Sequence, residues 1–207
     1  MKLLGKTLTA VALACTSLAA NAAYITTFTS GMTTQVAGAT VYDFENGKPA
    51  NYTGAGSVIN FSSSTTAAPA GDSTYYYSVA YPDQTGIGTF NAGNGTAYDY
   101  FGLYWGSIDD YNSLKFYSNG SLVATITGLD VIATGTSLGN QTAAGSNRYV
   151  NFFFDTTFDR IDFLTTNYAF EMDNHAFART TNVPEPATLG LLGMGLLGAS
   201  LVRRRKR

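Results

Sequence analysis

Between residues 24 and 182 no stretch of useful length repeats its apolar residues with a helical period. The span is rich in Tyr, Phe, Thr, Val, Gly, Ser and Asn, which favour strands and turns. Residues 98–105 alternate, so Phe101, Leu103 and Trp105 are expected on one face and Tyr98, Tyr100, Gly102 and Tyr104 on the other. Residues 114–117 and 122–127 flank Ser118-Asn119-Gly120-Ser121, and Asn-Gly between two β-like runs is a strong hairpin signal. Further strands are expected over residues 40–45, 57–61, 74–80, 149–154, 160–164 and 168–177. Residues 62–73, 86–95 and 135–146 are small and polar and read as loops. Many short strands without helices, and without an internal repeat, imply an all-β fold, a jelly-roll-like two-sheet sandwich.

The two ends read differently from this body. Lys2 and Lys6 precede an uncharged apolar run over residues 8–18, and Ala20-Asn21-Ala22 places small residues where a signal peptidase cuts. Residues 1–23 are therefore expected to be a signal peptide, with cleavage after Ala22 or Ala23. Cys15, the one cysteine, lies in that run, so the exported form has no disulfide. At the other end, Val183-Pro184-Glu185-Pro186 is a stiff, non-helical entry. Residues 189–202 are apolar and punctuated by glycine, and Arg203, Arg204, Arg205, Lys206 and Arg207 close the chain with a basic cluster. Fourteen residues at about 1.5 Å each span about 21 Å, short of the ~30 Å hydrocarbon core. The segment reads as a short transmembrane sorting helix, with its basic tail in the cytoplasm and residues 24–182 outside.

The run VPEPATLGLLGMGLLGASLVRRRKR, residues 183–207, resembles the PEP-CTERM sorting signal. The resemblance rests on Pro184, Glu185 and Pro186 followed by the glycine-rich helix and by Arg203, Arg204 and Arg205. It implies a Gram-negative host that makes exopolysaccharide. It also implies recognition by exosortase, a membrane-embedded cysteine protease that removes the tail. Such a protein would be anchored transiently in the inner membrane, then released to the cell surface or extracellular matrix. Within the body, YDFENG at residues 42–47 and FEMDNHAF at residues 170–177 resemble the first and last strands of carbohydrate-binding jelly rolls. In such folds those strands run close together and a structural Ca²⁺ ties them. By that resemblance Asp43, Glu45, Asp173 and Asn174 are candidate ligands, and their hard oxygens suit the ion.

Composition narrows the function. Residues 24–182 hold five basic side chains against thirteen acidic ones, a net charge of −8. Nucleic acid is thereby disfavoured as a partner, since its phosphates would be repelled. His175 is the sole histidine and lies in an expected strand with no nucleophile elbow near it, so no catalytic triad is read and the chain is not expected to be an enzyme. Asp109-Asp110 and Glu171/Asp173 supply carboxylates, but their separation cannot be read from sequence. Tyr98, Tyr100 and Tyr104, on the face opposite Phe101, are candidates for a sugar-stacking platform with Gly102 as its open floor. The alternative is that they lie under a loop or the second sheet. The expected function is a structural or adhesive component of the surface or matrix. The alternatives are a module that binds exopolysaccharide and, more remotely, a glycan-active enzyme.

Overall fold

A computed structural model describes residues 22–180. The signal-peptide region before residue 22 and the sorting segment from residue 183 onward lie outside the described residues. Within them run β1 (Tyr24–Thr29), β2 (Thr40–Tyr42), β3 (Tyr52–Gly54), β4 (Gly56–Ile59), β5 (Tyr76–Val79), β6 (Gly86–Asn91) and β7 (Tyr98–Trp105). Then come β8 (Asn112–Ser118), β9 (Ser121–Thr127), a single helical turn α1 (Gly128–Val131), β10 (Arg148–Phe158), β11 (Arg160–Thr165) and β12 (Phe170–Ala178). Two antiparallel sheets pack face to face, as the alternation predicts. One has the order β1-β10-β7-β12-β5-β4, with β2 also pairing β12; the other has the order β3-β6-β11-β8-β9.

The interface between the sheets is aromatic. Phe101, Trp105, Phe152, Phe154, Phe170 and Phe177 of the first sheet meet Phe90, Phe116 and Phe163 of the second, all fully or nearly fully buried. Phe90 and Phe177 stack at 4.1 Å between ring centroids, and Phe116 sits 4.6 Å from Phe154. His175 lies inside this layer, stacked on Phe163, with its Nδ1 3.0 Å from the Tyr52 hydroxyl. Burial pushes its pKa down to about 3, so the ring is neutral and structural.

Three local expectations are corrected. Residues 86–91 form a central strand, not a loop. A Cβ on Gly88 would come within 2.5 Å of the Tyr77 hydroxyl, and one on Gly86 within 2.7 Å of the Ala55 side chain. The glycines there serve close approach across the interface rather than a turn. The expected strand over residues 40–45 stops at Tyr42, because Phe44 takes φ 58° and turns the chain. The four-residue turn α1 replaces an expected absence of helix; Asp130 accepts from Thr127 N at 2.7 Å and so caps it.

One irregularity in β12 positions the groups described next. Asp173 pairs Tyr104, yet Ala176 pairs Gly102, so β12 carries one extra residue. Asn174, with φ 52°, is that bulge. It reverses the alternation of β12. Phe170 and Met172 face the core before it, and His175 and Phe177 after it. Glu171 and Asp173 are left on the outer face of the sheet. At the same place the far edge of β12 changes partner: β5 pairs residues 170–172 and β2 pairs residues 175–177.

Candidate functional site

The outer face of the first sheet is covered rather than open. Tyr100 is fully buried and Tyr104 is 6% exposed. The Tyr100 hydroxyl donates to Asn151 Oδ1 at 2.7 Å and meets Thr34 Oγ1 at 2.6 Å. The Tyr104 hydroxyl donates to the Ala70 carbonyl at 2.7 Å. A Cβ on Gly102 would lie 2.3 Å from the Tyr100 hydroxyl and 2.6 Å from that of Tyr149, so the expected open floor is filled. Tyr98, expected on the same face, instead packs with the core residues Phe90, Phe158 and Phe177 at the start of β7. The expected platform of Tyr98, Tyr100 and Tyr104 is therefore not a surface. The segments around Thr34 and Ala70 lie over it, because the hydroxyls and the rings' edges offer those segments both hydrogen bonds and apolar area.

Beneath the loop that carries Ala67 and Ala70 sit the two buried carboxyls of β12. Glu171 is 3% exposed. Its Oε1 accepts from Ala67 N at 2.8 Å, and its Oε2 lies 3.4 Å from Ser107 Oγ. Burial raises its pKa to about 7, against the Ala67 hydrogen bond, which lowers it. Asp173 is 1% exposed. Its Oδ2 accepts from Asn174 Nδ2 at 2.8 Å, while its Oδ1 is buried without a partner. Burial is the main cause of a rise to about 8, and the carboxylates of Asp72, Asp43 and Glu45 add to it.

The four residues proposed as calcium ligands are thus brought near one junction, with changes. Asp43 and Glu45 flank the turn residue Phe44 beyond the end of β2, and Glu45 Oε1 accepts from Tyr75 N at 2.8 Å. Asn174 turns its side chain onto Asp173, and its carbonyl accepts from the Tyr149 hydroxyl at 3.0 Å. Asp72, which the sequence did not single out, joins them; its Oδ1 is taken by Thr74 and its Oδ2 is buried and unpartnered. Asp72 Oδ2 and Asp173 Oδ1 are thus the two buried carboxyl oxygens of these loops without a hydrogen-bond partner. Among the described residues no three acidic, His or Cys side chains gather closely enough to hold a metal.

Glu171 also lines a cavity of about 120 Å³ at the end of the sandwich where β7 and β11 finish and β8 and β12 begin. Asp109 faces it from the loop after β7, and Tyr111, Tyr168, Gln141 and Ser63 complete much of the wall. Two carboxyls 62 positions apart in the chain are thereby assembled by topology alone. Asp109 is 9% exposed, and its pKa is raised by burial first and by Asp110 as well, with the Tyr111 hydroxyl acting the other way. A larger concavity of about 500 Å³ lies at the opposite end. Its charged groups are already committed. Asp159 accepts from Asn119 N at 2.8 Å, and Arg160 stacks on Tyr117 and pairs with Asp162.

A family model described as the PEP-CTERM protein-sorting motif matches residues 182–206. The chain carries this sorting motif. No curated protein and no solved structure matches the chain. The PEP-CTERM motif implies export, a transient membrane anchor and processing by exosortase in a Gram-negative bacterium. Among the described residues no helix is long and apolar enough to cross a membrane.

Proposed function

We propose that the protein is a structural or adhesive component of the cell surface or extracellular matrix, exported, held briefly in the inner membrane and released by exosortase. The PEP-CTERM motif carries this reading. The sandwich agrees with it: the lone histidine is neutral and buried, and Tyr104 and Glu171 use their polar groups to pin loops onto the first sheet. Replacing Pro184, Glu185 and Pro186 together by Ala should leave the protein in the membrane fraction at its uncleaved mass. Peptides from residues 189–207 recovered in the released wild-type protein would defeat the reading.

A second reading is that the body holds exopolysaccharide directly. One feature favours it, the carboxyl-lined cavity beside Tyr168. The proposal also includes a structural Ca²⁺ at the β12 junction, supported by the two unpartnered buried oxygens of Asp72 and Asp173. Such an ion would add to the hydrogen bonds at Ala67 and Ala70 that already hold the Asp72 loop to the first sheet.

A further inference from the structure

The sorting motif leaves several concavities and two carboxyl clusters of the described body without a role. The concavity of about 500 Å³ has its charged groups paired. A third, of about 460 Å³, is lined by Tyr104, Asn147 and Arg148. There the Tyr104 hydroxyl is taken, Asn147 uses its side-chain oxygen on Ala70 N and Ser107 N, and its Nδ2 donates to the Asn140 and Ala143 carbonyls. Arg148 lies over the Phe28 ring at 3.4 Å. These groups hold loops in place and have little left to offer a ligand.

The cavity between Asp109 and Glu171 differs. Asp109 borders the cavity beside the Tyr111 hydroxyl, which lowers its pKa against the effect of burial. A carboxyl has about four acceptor positions, so Asp109 keeps capacity at the cavity wall for hydroxyl donors of a guest. Space for it is kept by Gly139, whose φ is 64° and whose Cβ, if present, would stand 2.7 Å from Asp109 Oδ1. Glu171 uses two of its roughly four acceptor positions, leaving the others for a ligand. Ser63, Ser64, Thr65 and Gln141 add hydroxyl and amide groups to the wall. Tyr168 stands on the rim, 39% exposed, and its carbonyl is anchored by the Tyr111 hydroxyl at 2.6 Å. The backbone of the rim residue is thus held in place.

The chemistry of the lining selects among ligands. No Lys or Arg lines the cavity, so a phosphate, sulfate or uronate would meet carboxyls with nothing to offset its charge. A neutral, hydroxyl-rich ring suits it. Adjacent hydroxyls donate to a carboxylate pairwise, hydroxyl oxygens accept from the Ser, Thr and Gln groups, and the ring's apolar face covers a tyrosine. The volume, about 120 Å³, is less than a whole sugar ring needs, so the half-open concavity takes one edge of a terminal unit while the rest of the ring lies on the rim at Tyr168.

We propose that the cavity bounded by Asp109, Glu171 and Tyr168 binds the terminal residue of a neutral glycan. This inference rests on the second reading above and gives it a location and a ligand class. The test uses the exported, processed protein with three panels of oligosaccharides, ending in neutral hexoses, in uronic acids and in amino sugars. Binding is followed by calorimetry and by ligand-detected NMR. Neutral ends are expected to bind. Tyr168→Ala, at an exposed rim position, should weaken that binding about three- to tenfold, the range for one aromatic contact. Asp109→Asn should weaken it about tenfold or more, since the carboxylate accepts more strongly than an amide. Melting curves establish that both variants are folded, and Tyr168→Ala carries the test if Asp109→Asn is not. Neutral glycans bound equally well by the folded variants would overturn the site while sparing the reading. No binding by any panel overturns both. Preference for uronic or amino-sugar ends, or release of new reducing ends, would replace neutral-glycan binding by a different activity and sink the proposal.

Discussion

The protein should lose stability as pH rises from 5 to 8, by several kcal/mol, or a fall of about 10 °C in melting temperature. The cause is the pair of carboxyls that the β12 bulge leaves on the covered outer face. In the unfolded chain Asp173 and Glu171 ionise near pH 4. In the fold they keep their protons until about 8 and about 7. Between those limits the unfolded state binds fewer protons than the native one, so stability declines with rising pH; below pH 4 the two states are equally protonated and the native state suffers no penalty. The groups facing Asp173 reinforce the direction. Asp72, Asp43 and Glu45 bring negative charge from two separate loops, and Asn174 and Tyr149 bring no positive charge. Asp173→Asn, which keeps the shape and removes the ionisation, should flatten the profile by more than half. Urea melts at half-unit pH intervals in EDTA provide the measurement, and a wild-type profile that is level or rises from pH 5 to 8 rejects the account. Repeating the series in 1 mM Ca²⁺ tests the proposed ion. A site with Kd of about 10⁻⁴ M would return about 1.4 kcal/mol at pH 8 and progressively less toward pH 5, where protons compete for the same oxygens. Coincident EDTA and Ca²⁺ curves at pH 8 would leave the proton as the cluster's only counter-charge.

Alternation and turn chemistry are local, and where the fold depends on them it was legible. The hairpin at Asn119-Gly120 forms as a two-residue loop between β8 and β9, with φ 47° and 81°, the left-handed pair that Asn-Gly tolerates. Two sheets follow from the same pattern. What escaped is what long-range packing decides. Gly86 and Gly88 look like loop residues, yet they mark where the second sheet passes within reach of Tyr77 and Ala80. β3 has three residues, too few to announce a strand, while β1, YITTFT, has strand-favouring residues throughout but follows directly on the expected cleavage site. The bulge at Asn174 has no sequence signal beyond an Asn that tolerates positive φ, and it alone sets which carboxyls face outward. Glu171 and Asp109 were visible as carboxyls but not as neighbours, because loops more than sixty residues apart close the cavity between them. Asp72 was not visible at all; it is one acid in a run of small polar residues until the loop folds back onto β12.

Tyr100→Ala is expected to destabilise the protein by about 3–5 kcal/mol, the cost of truncating a buried aromatic, rather than to weaken a sugar contact. The side chain is fully buried on the outer face of β7, packed with Ala176, Val36, Ala39 and Phe153. Its ring centroid is 5.0 Å from that of Phe153. Removing it opens a cavity under the segment that carries Thr34 and Val36. It also strips the donor from Asn151 Oδ1, whose Nδ2 group ties to Thr29 Oγ1 at 3.3 Å in β1. The damage should therefore reach the sheet edge. Tyr100→Phe separates the two contributions. It keeps the ring and loses only the hydroxyl, so it should cost about 1–2 kcal/mol, the penalty of leaving Asn151 and Thr34 without their partner. A platform role predicts the reverse: both variants would keep wild-type stability, and Tyr100→Ala alone would lose retention on polysaccharide. Gly102→Ala gives an independent check on the same face. Its new methyl would press on the Tyr100 and Tyr149 hydroxyls, so it should destabilise the fold, whereas an open stacking floor would accept it without cost. Chemical denaturation of the three variants beside wild type decides the matter, and a Tyr100→Ala loss below about 1 kcal/mol would show that the covering segment does not pack on this ring as described.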